Sequence, residues 1–371
     1  MCWSYRNFSM KKVLHVSYGG LDKGGVSSVI LSIVRVLHNN FDFGGVVFHG
    51  KNSRENIFKQ YGKVYYINSY GRRGIKRIFE LLLRPFVMYC GIYRICKNEH
   101  YDIIHCHNGF DMVYCLLAAK HAGVKMRIAH SHCAASPIEP HLIKRVINAI
   151  QRHYINILST HRVGCSILAC KDLFRKSDSQ VIFNSVDLSR FVWKRNKHEG
   201  FVIVHVGRYC YPKNQSFIID VVNLLKHQIP DLKVRLVGFG NDKDILERKI
   251  KFLQLNDIIS LVDGHKVDIH EIYANADVMV FPSEYEGFGI ALIEAQATGC
   301  YCFASDVIPS DTNIGLMVQL SLKEAAQVWA ERIIDYWRSE YRVQYEQIKC
   351  RVTLFDEKVI AKQYQKLYGE E

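Results

Sequence analysis

Along this chain, short apolar runs that end in glycine, histidine or asparagine alternate with longer segments whose apolar residues return every three or four positions. The first run, Val13-Leu-His-Val-Ser-Tyr, leads through Gly19, Gly20, Gly24 and Gly25 into a stretch where Val26, Val29, Ile30, Ile33, Val34 and Leu37 mark one helical face. Strand, glycine turn and helix open a Rossmann-like unit. Further strands are predicted at 45–48, 64–67, 101–105 and 125–132, with a helix at 111–121 and a long amphipathic segment at 141–162. A short strand at 181–183 precedes Asn184-Ser-Val-Asp187, and the polar stretch 191–200 reads as an interdomain linker.

The pattern then restarts. An apolar strand at 201–206 ends in Gly207-Arg208, a helix follows at 214–227, and a strand at 233–237 ends in Gly238-Phe-Gly240. A helix at 243–254 precedes runs at 258–262 and 269–275, and a strand at 276–281 enters the glycine-rich turn of segment 284–299. There a helix is expected to begin near Gly289 and to stop at Gly299 in a left-handed cap. Two tail helices are predicted, at 322–338 and 356–368. The fold class is therefore α/β, with parallel sheets whose ligand sites lie beyond the strands' carboxyl ends. The expected division is a loose arm before Met10, a first domain at 10–190, a second at 201–345, and a tail at 346–371 that packs back on the first.

A chain of 371 residues suits two domains, and 49% hydrophobic with 23% charged residues is a globular composition. Its formal net charge of +13 points to anionic partners, whether nucleotide, nucleic acid or acidic membrane. No nucleic-acid recognition motif accompanies the charge, so nucleic-acid binding is not expected. The 12 cysteines are scattered without a Cys-x-x-Cys pair, and no secretory signal pattern stands at the start, which suggests reduced thiols in a cytoplasm. The longest apolar stretch, 78–95, is broken by Glu80, Arg84, Pro85 and Arg94, so no membrane span is expected. Gly-x-Gly-x-x-Gly is not present at the first glycine turn, which argues against a nicotinamide dinucleotide.

Candidate chemistry gathers at the strand ends. Glu286 would lie in a glycine-rich loop and Glu294 early in a helix, where unpaired N–H groups and the dipole attract phosphate. Arg208 and Lys213 stand at the exit of the second half's first strand, where two cations could clamp a diphosphate or simply be solvated loop charges. His105, His107, His130 and His132 end two strands and also permit a zinc reading. Two basic, apolar segments resemble interfacial helices: Arg72, Arg73, Lys76 and Arg77 before a leucine-rich stretch, and Lys144, Arg145 and Arg152 among Leu142, Ile143, Val146, Ile147 and Ile150. An ordinary core helix with a solvated cationic face fits both equally well.

Taken in order, Gly24-Gly-Val, Asp102-Ile-Ile-His-Cys-His107, Arg127-Ile-Ala-His-Ser-His132, Asn184-Ser-Val-Asp187, Gly207-Arg208 with Lys213-Asn214, Gly238-Phe-Gly240 and the Glu286-x7-Glu294 pair resemble the family-4 retaining glycosyltransferases of the GT-B fold. Within that family the chain is similar to bacterial capsular and exopolysaccharide enzymes. The resemblance implies two Rossmann-like domains facing each other across a cleft, and transfer of a sugar from a nucleoside diphosphate to a saccharide, with retention at the anomeric carbon. It places Glu286 and His132 at the transferred sugar as catalytic residues, Glu294 on the ribose hydroxyls, and Arg208 with Lys213 on the diphosphate. Backbone N–H groups of Phe288, Gly289, Ile290 and Ala291 become candidates for diphosphate and sugar contacts, and Gly24 and Gly25 for a loop near the donor phosphates or the acceptor.

The resemblance is to metal-independent enzymes, so neither metal nor cofactor is expected. A uridine diphosphate (UDP) sugar is the expected donor, with a guanosine diphosphate (GDP) sugar as the alternative. The implied partners are a polyprenyl-diphosphate-linked saccharide and an anionic membrane, and the implied location is peripheral to the inner face of the plasma membrane. A sugar-nucleotide epimerase of the same fold, or a silent nucleotide-sugar-binding scaffold, are the rival readings. Asn184-Ser185 departs from the family's more usual Asn-Gly, and Asp311 stands where the polysaccharide subgroup tends to carry Glu.

Overall fold

The computed structural model describes residues 10–17, 20–21, 24–48, 54–67, 75–107, 109–132, 141–175, 178–196, 198–339 and 344–370, without the side chains of 75–82. The arm before Met10, Gly19, Arg72 and Arg73 lie outside the described residues, as do the side chains of Lys76 and Arg77. The chain forms two compact units, one containing residues up to Phe183 and from Ile360 onward, the other running from Asn184 to Val359.

The first unit is built on a seven-stranded sheet ordered β3-β2-β1-β4-β5-β6-β7. Its strands are β1 (Lys12–Val16), β2 (Asp42–Val47), β3 (Gly62–Tyr66), β4 (Ile103–Cys106), β5 (Met126–Ser131), β6 (His161–Gly164) and β7 (Gln180–Val181), all paired in parallel. The crossovers carry α1 (Gly25–Leu37), α2 (Glu55–Phe58), α3 (Ile75–Glu99), α4 (Met112–His121), α5 (Leu142–Leu158) and α6 (Ile167–Phe174). Val13, Leu14, Val16, Ile104 and Cys106 are fully buried, as expected of parallel strands covered on both faces. Register sets His15 beside His105 on β1 and β4. Because side chains alternate, His107 falls on the same face two residues further on.

The second unit repeats the plan with six parallel strands ordered β10-β9-β8-β11-β12-β13. They are β8 (Phe201–Val206), β9 (Leu232–Gly238), β10 (Ile259–Asp263), β11 (Val278–Phe281), β12 (Tyr301–Ser305) and β13 (Met317–Leu320). Helices α7 (Gln215–Leu225), α8 (Lys243–Phe252), α9 (Ile269–Ala274), α10 (Ile290–Thr298), α11 (Ala326–Arg338) and α12 (Tyr345–Thr353) connect and cover them. The strand order reverses between β8 and β11, so a crevice opens beyond their carboxyl ends. Arg208 and segment 284–299 both leave from that point.

Several elements differ from the sequence expectation. Segment 141–162 is not one continuous element: α5 stops at Leu158, and β6 begins at His161. Four residues are too few to show a period against a preceding helix. The stretch 191–200 is part of the second unit: Lys194 N–H donates to Thr298 O at 3.1 Å, Asn196 N–H to Ala274 O at 2.9 Å, and Arg195 pairs with Asp277 at 3.2 Å. Its polar residues are there to cap and pair with the ends of α9 and α10. In the tail, α12 belongs to the second unit, while Tyr364, Leu367 and Tyr368 of α13 (Glu357–Gly369) are buried in the first.

Candidate functional site

At the end of β8 the chain is held by a buried polar relay. His205 lies wholly inside, and burial pushes its imidazole down to about 4, so the ring is neutral at ordinary pH. Its Nδ1 sits 2.9 Å from Val280 O, an acceptor only, which fixes the proton on Nδ1 and leaves Nε2 to accept from Gln215 Nε2 at 3.2 Å. The same Gln215 amide donates to Arg208 O at 2.8 Å. Three polar groups thus fix the Arg208 backbone while its side chain stays exposed.

Next comes the short turn Tyr211–Lys213, ended by Asn214 in the left-handed region with φ 50°. Glu284 anchors it: its N–H donates to Pro212 O at 2.9 Å and its carboxylate accepts from Asn214 Nδ2 at 3.2 Å. That clamp brings Lys213 to Glu286. Their side chains form an ion pair, each about four-fifths covered, with the ammonium 4.7 Å from the centre of the Phe281 ring. The predicted diphosphate cation and the predicted sugar carboxylate therefore meet directly.

Gly289 precedes α10 with φ 92° and ψ 54°, and no side chain caps the helix. A Cβ there would adopt a backbone region that side chains disfavour and would press, at 3.3 Å, on the movable tip of Leu292, so glycine is favoured. Phe288 is buried, its ring 5.9 Å from that of Phe355, which aims the loop without using its side chain for a ligand. Ile290 and Ala291 form the first turn, where helical geometry leaves N–H groups without intrahelical acceptors. Glu294 follows on the same helix, partly buried. The buried Tyr273 phenol beside it is held well above its ordinary range by burial and then by the Glu294 charge. Buried Gln296 ties α10 to the Asp311 loop, donating to Thr312 O at 2.8 Å and accepting from Ile314 N–H at 3.1 Å.

In the first unit, Gly24 is the extended residue before α1, and Gly25 begins it. A Cβ at Gly24 would meet nothing within 4 Å, so that loop has open space beside it. His132 follows β5, half-buried, with Nε2 2.7 Å from His107 Nδ1. His130 is fully buried and reaches His105 at 3.0 Å. Two triads, His15-His105-His107 and His107-His130-His132, place ligand nitrogens within 4.8 Å of one another. The sequence reading missed His15, His205 and Gln215. The first could have been found by sliding β1 against β4, since all the strand-end histidines recur at period two; the other two carried no pattern.

A model of glycosyl transferases group 1 matches residues 189–340, and one of glycosyltransferase family 4 matches 23–190, together spanning both units. The EpsF protein of Bacillus subtilis is 28% identical over 350 residues, covering 88% of each chain. Capsular polysaccharide biosynthesis glycosyltransferase CapH of Staphylococcus aureus is 23% identical, covering 80% of this chain and 82% of its own. A UDP-Gal:alpha-D-GlcNAc-diphosphoundecaprenol alpha-1,3-galactosyltransferase of Escherichia coli is 27% identical over 61% of this chain and 63% of its own. Among solved structures, Anabaena HepE in complex with UDP and glucose superposes with a TM-score of 0.74 at 16% identity, covering 96% of this chain and 99% of its own.

Proposed function

Because this chain belongs to the family-4 glycosyltransferases of the GT-B fold, we propose that it is a retaining enzyme that moves a sugar from a nucleoside diphosphate to a saccharide carried on a polyprenyl diphosphate, in surface polysaccharide synthesis. The observation that carries the reading is the Lys213–Glu286 pair beside the start of α10. It puts a cation, a carboxylate and the first-turn N–H groups of α10 at one strand exit. A departing diphosphate needs positive charge already in place, and Arg208, Lys213 and the α10 N-terminus supply it.

In this reading the arriving diphosphate takes Lys213 over from Glu286, and the released carboxylate turns to the sugar. The two Glu294 oxygens accept from the ribose 2′ and 3′ hydroxyls, the pairing a carboxylate makes best. Retention follows from displacement on one face, with the leaving phosphate taking the acceptor's proton, so no separate base is assigned. His132 is the first unit's residue that the resemblance gives to the sugar. UDP is the favoured donor nucleotide, since HepE was solved with UDP and the Escherichia coli relative is named for UDP-Gal. The acceptor class comes from that relative's diphosphoundecaprenol substrate.

An anionic membrane fits as the surface on which such an acceptor is met. Leu142, Ile143, Val146, Ile147, Ile150, Tyr154 and Ile157 of α5 are all exposed. At helical spacing they cover an arc of roughly 140°. Lys144 and Arg145 flank that face, and α5 contains no acidic residue. Among the described residues no helix is long and apolar enough to cross a membrane.

The test is a donor screen with purified protein, pairing UDP- and GDP-sugars with a polyprenyl-diphosphate saccharide. Transfer that needs both donor and acceptor is the expected result. Conversion of the donor sugar without acceptor would replace the reading with an epimerase, and nucleotide binding with no turnover in any pairing would replace it with a scaffold.

A further inference from the structure

His15, His105, His107, His130 and His132 share one face of the first unit's sheet, at the ends of β1, β4 and β5. They form two chains. In one, His15 Nδ1 meets His107 Nε2 at 3.1 Å and His107 Nδ1 meets His132 Nε2 at 2.7 Å. In the other, Tyr368 Oη meets His105 Nδ1 at 2.7 Å and His105 Nε2 meets His130 Nδ1 at 3.0 Å. These separations are hydrogen-bond lengths. Two nitrogens on a tetrahedral zinc with bonds of about 2.05 Å would stand about 3.3 Å apart.

Burial holds His15 and His132 at about 3 and His107 well below its ordinary value, so the first chain is neutral at physiological pH. A neutral imidazole has one N–H and one lone pair. His107 therefore donates through one nitrogen and accepts through the other, and both of its bonds must run in the same direction. One end of the chain keeps a spare N–H and the other a spare lone pair. The end atoms are His15 Nε2 and His132 Nδ1, both buried and without a hydrogen-bond partner among the described residues. An orphaned N–H costs more than an orphaned lone pair. His15 is 1% exposed inside the sheet, whereas His132 lies just past the end of β5 and is only half-buried as a residue, so the spare N–H is assigned to His132. The lone pair thus belongs at His15 Nε2, and the protons lie on Nδ1 of all three rings.

We propose that His107 is a positioning residue that, backed by His15, fixes His132 as its Nδ1–H tautomer, so that His132 donates a hydrogen bond to an oxygen of the transferred sugar and does not accept one from a hydroxyl. This inference rests on the proposed transfer reaction for the identity of the ligand, and on the geometry alone for the tautomer.

The experiment is long-range proton–nitrogen correlation on 15N-labelled full-length protein, with His132 assigned through His132→Gln. The expected spectrum has His132 Nδ1 protonated, Nε2 bare and neither titrating between pH 8 and 5.5. His107→Phe should release His132 into a mixture of tautomers and lower kcat by at least about tenfold with little change in donor KM. His107→Gln, whose amide can accept from His15 and donate to His132, should restore part of both. His15→Phe does not touch His132 yet should shift its tautomer, and it serves if His107→Phe does not fold. A protonated Nε2 in the parent, His132 resonances unmoved in both His107→Phe and His15→Phe, or zinc taken up by all the linked rings would each overturn the inference. The ring resonances report the tautomer whether or not sugar is transferred, so failure of the reaction and failure of the tautomer assignment are told apart.

Discussion

The Lys213 ammonium is paired with the Glu286 carboxylate at the carboxyl edge of the second unit's sheet, so the cation proposed for the diphosphate is held by the acid proposed for the sugar. Removing either partner should act in opposite directions on nucleotide binding. Lys213→Ala loses a charge-assisted contact of about 1.5 to 3 kcal/mol. It should weaken UDP binding by roughly ten- to a hundredfold. Glu286→Gln frees Lys213, so it should bind UDP as tightly as the parent or more tightly while its turnover collapses. Calorimetric titration with UDP, alongside a transfer assay, checks both; equal weakening in the two variants would show that the pair acts only as a structural clamp.

The proposed role of Glu294, accepting from both ribose hydroxyls, has a consequence for the ligand as well as for the protein. Glu294→Gln should weaken UDP about tenfold, and the parent should lose a similar factor for 2′,3′-dideoxy-UDP. The variant should barely distinguish the two nucleotides. If the losses instead multiply, the carboxylate and the hydroxyls act separately.

How much of this could be read beforehand depended on whether a feature was local or came from pairing. The glycines at 289 and 299 announced both ends of α10 because a left-handed backbone position restricts residue choice on the spot; φ is 92° and 95° there. Strand β8 was equally plain, an apolar run closed by glycine. Strands β12 and β13 passed unnoticed because Tyr301-Cys-Phe-Ala-Ser and Met-Val-Gln-Leu320 are too short to show a period, although Gly299 and Gly315 stand just before them. At the site, the residue types were legible and their couplings were not. Nothing local tells that Lys213 meets Glu286, 73 residues on, or that Gln215 braces the Arg208 carbonyl. Those depend on which strands become neighbours.

Gly289→Ala tests the turn that starts α10. Forcing a side chain into that backbone region costs about 1 to 2 kcal/mol, before any contact with Leu292. A melting point lowered by a few degrees is expected, together with weaker UDP binding, because the first-turn N–H groups would be re-aimed. Unchanged affinity in a folded Gly289→Ala protein would remove those N–H groups from the diphosphate site.

The buried imidazoles should make stability depend on pH. His15, His105, His107 and His130 are at most 6% exposed, and burial pushes each down, His15 to about 3. The unfolded chain protonates its histidines near 6.5, so below that pH it binds more protons than the folded one. Stability is therefore full above about pH 6.5 and falls with acid, by up to about 1.4 kcal/mol per pH unit for each such ring. Urea midpoints measured from pH 8 to 5 should be flat at first and then drop steeply. His15→Phe should make the drop shallower, and a midpoint constant down to pH 5 would contradict the neutral cluster.

The exposed face of α5 leads to a prediction at the membrane. Ile143 and Ile147 are 77% and 47% exposed, and no residue of α5 before Ile155 is buried, so replacing both with glutamate should leave folding intact. Each buried isoleucine side chain is worth about 1.5 to 3 kcal/mol. The double variant should therefore lose more than about tenfold in co-sedimentation with vesicles containing phosphatidylglycerol. Binding of the parent should fall between 0.1 and about 0.5 M salt, since charges on Lys144 and Arg145 are screened within a few ångströms there. Neutral phosphatidylcholine vesicles should capture less protein at every salt concentration. Equal binding to both vesicle types, or a double variant that sediments like the parent, would assign this face to something other than an anionic bilayer.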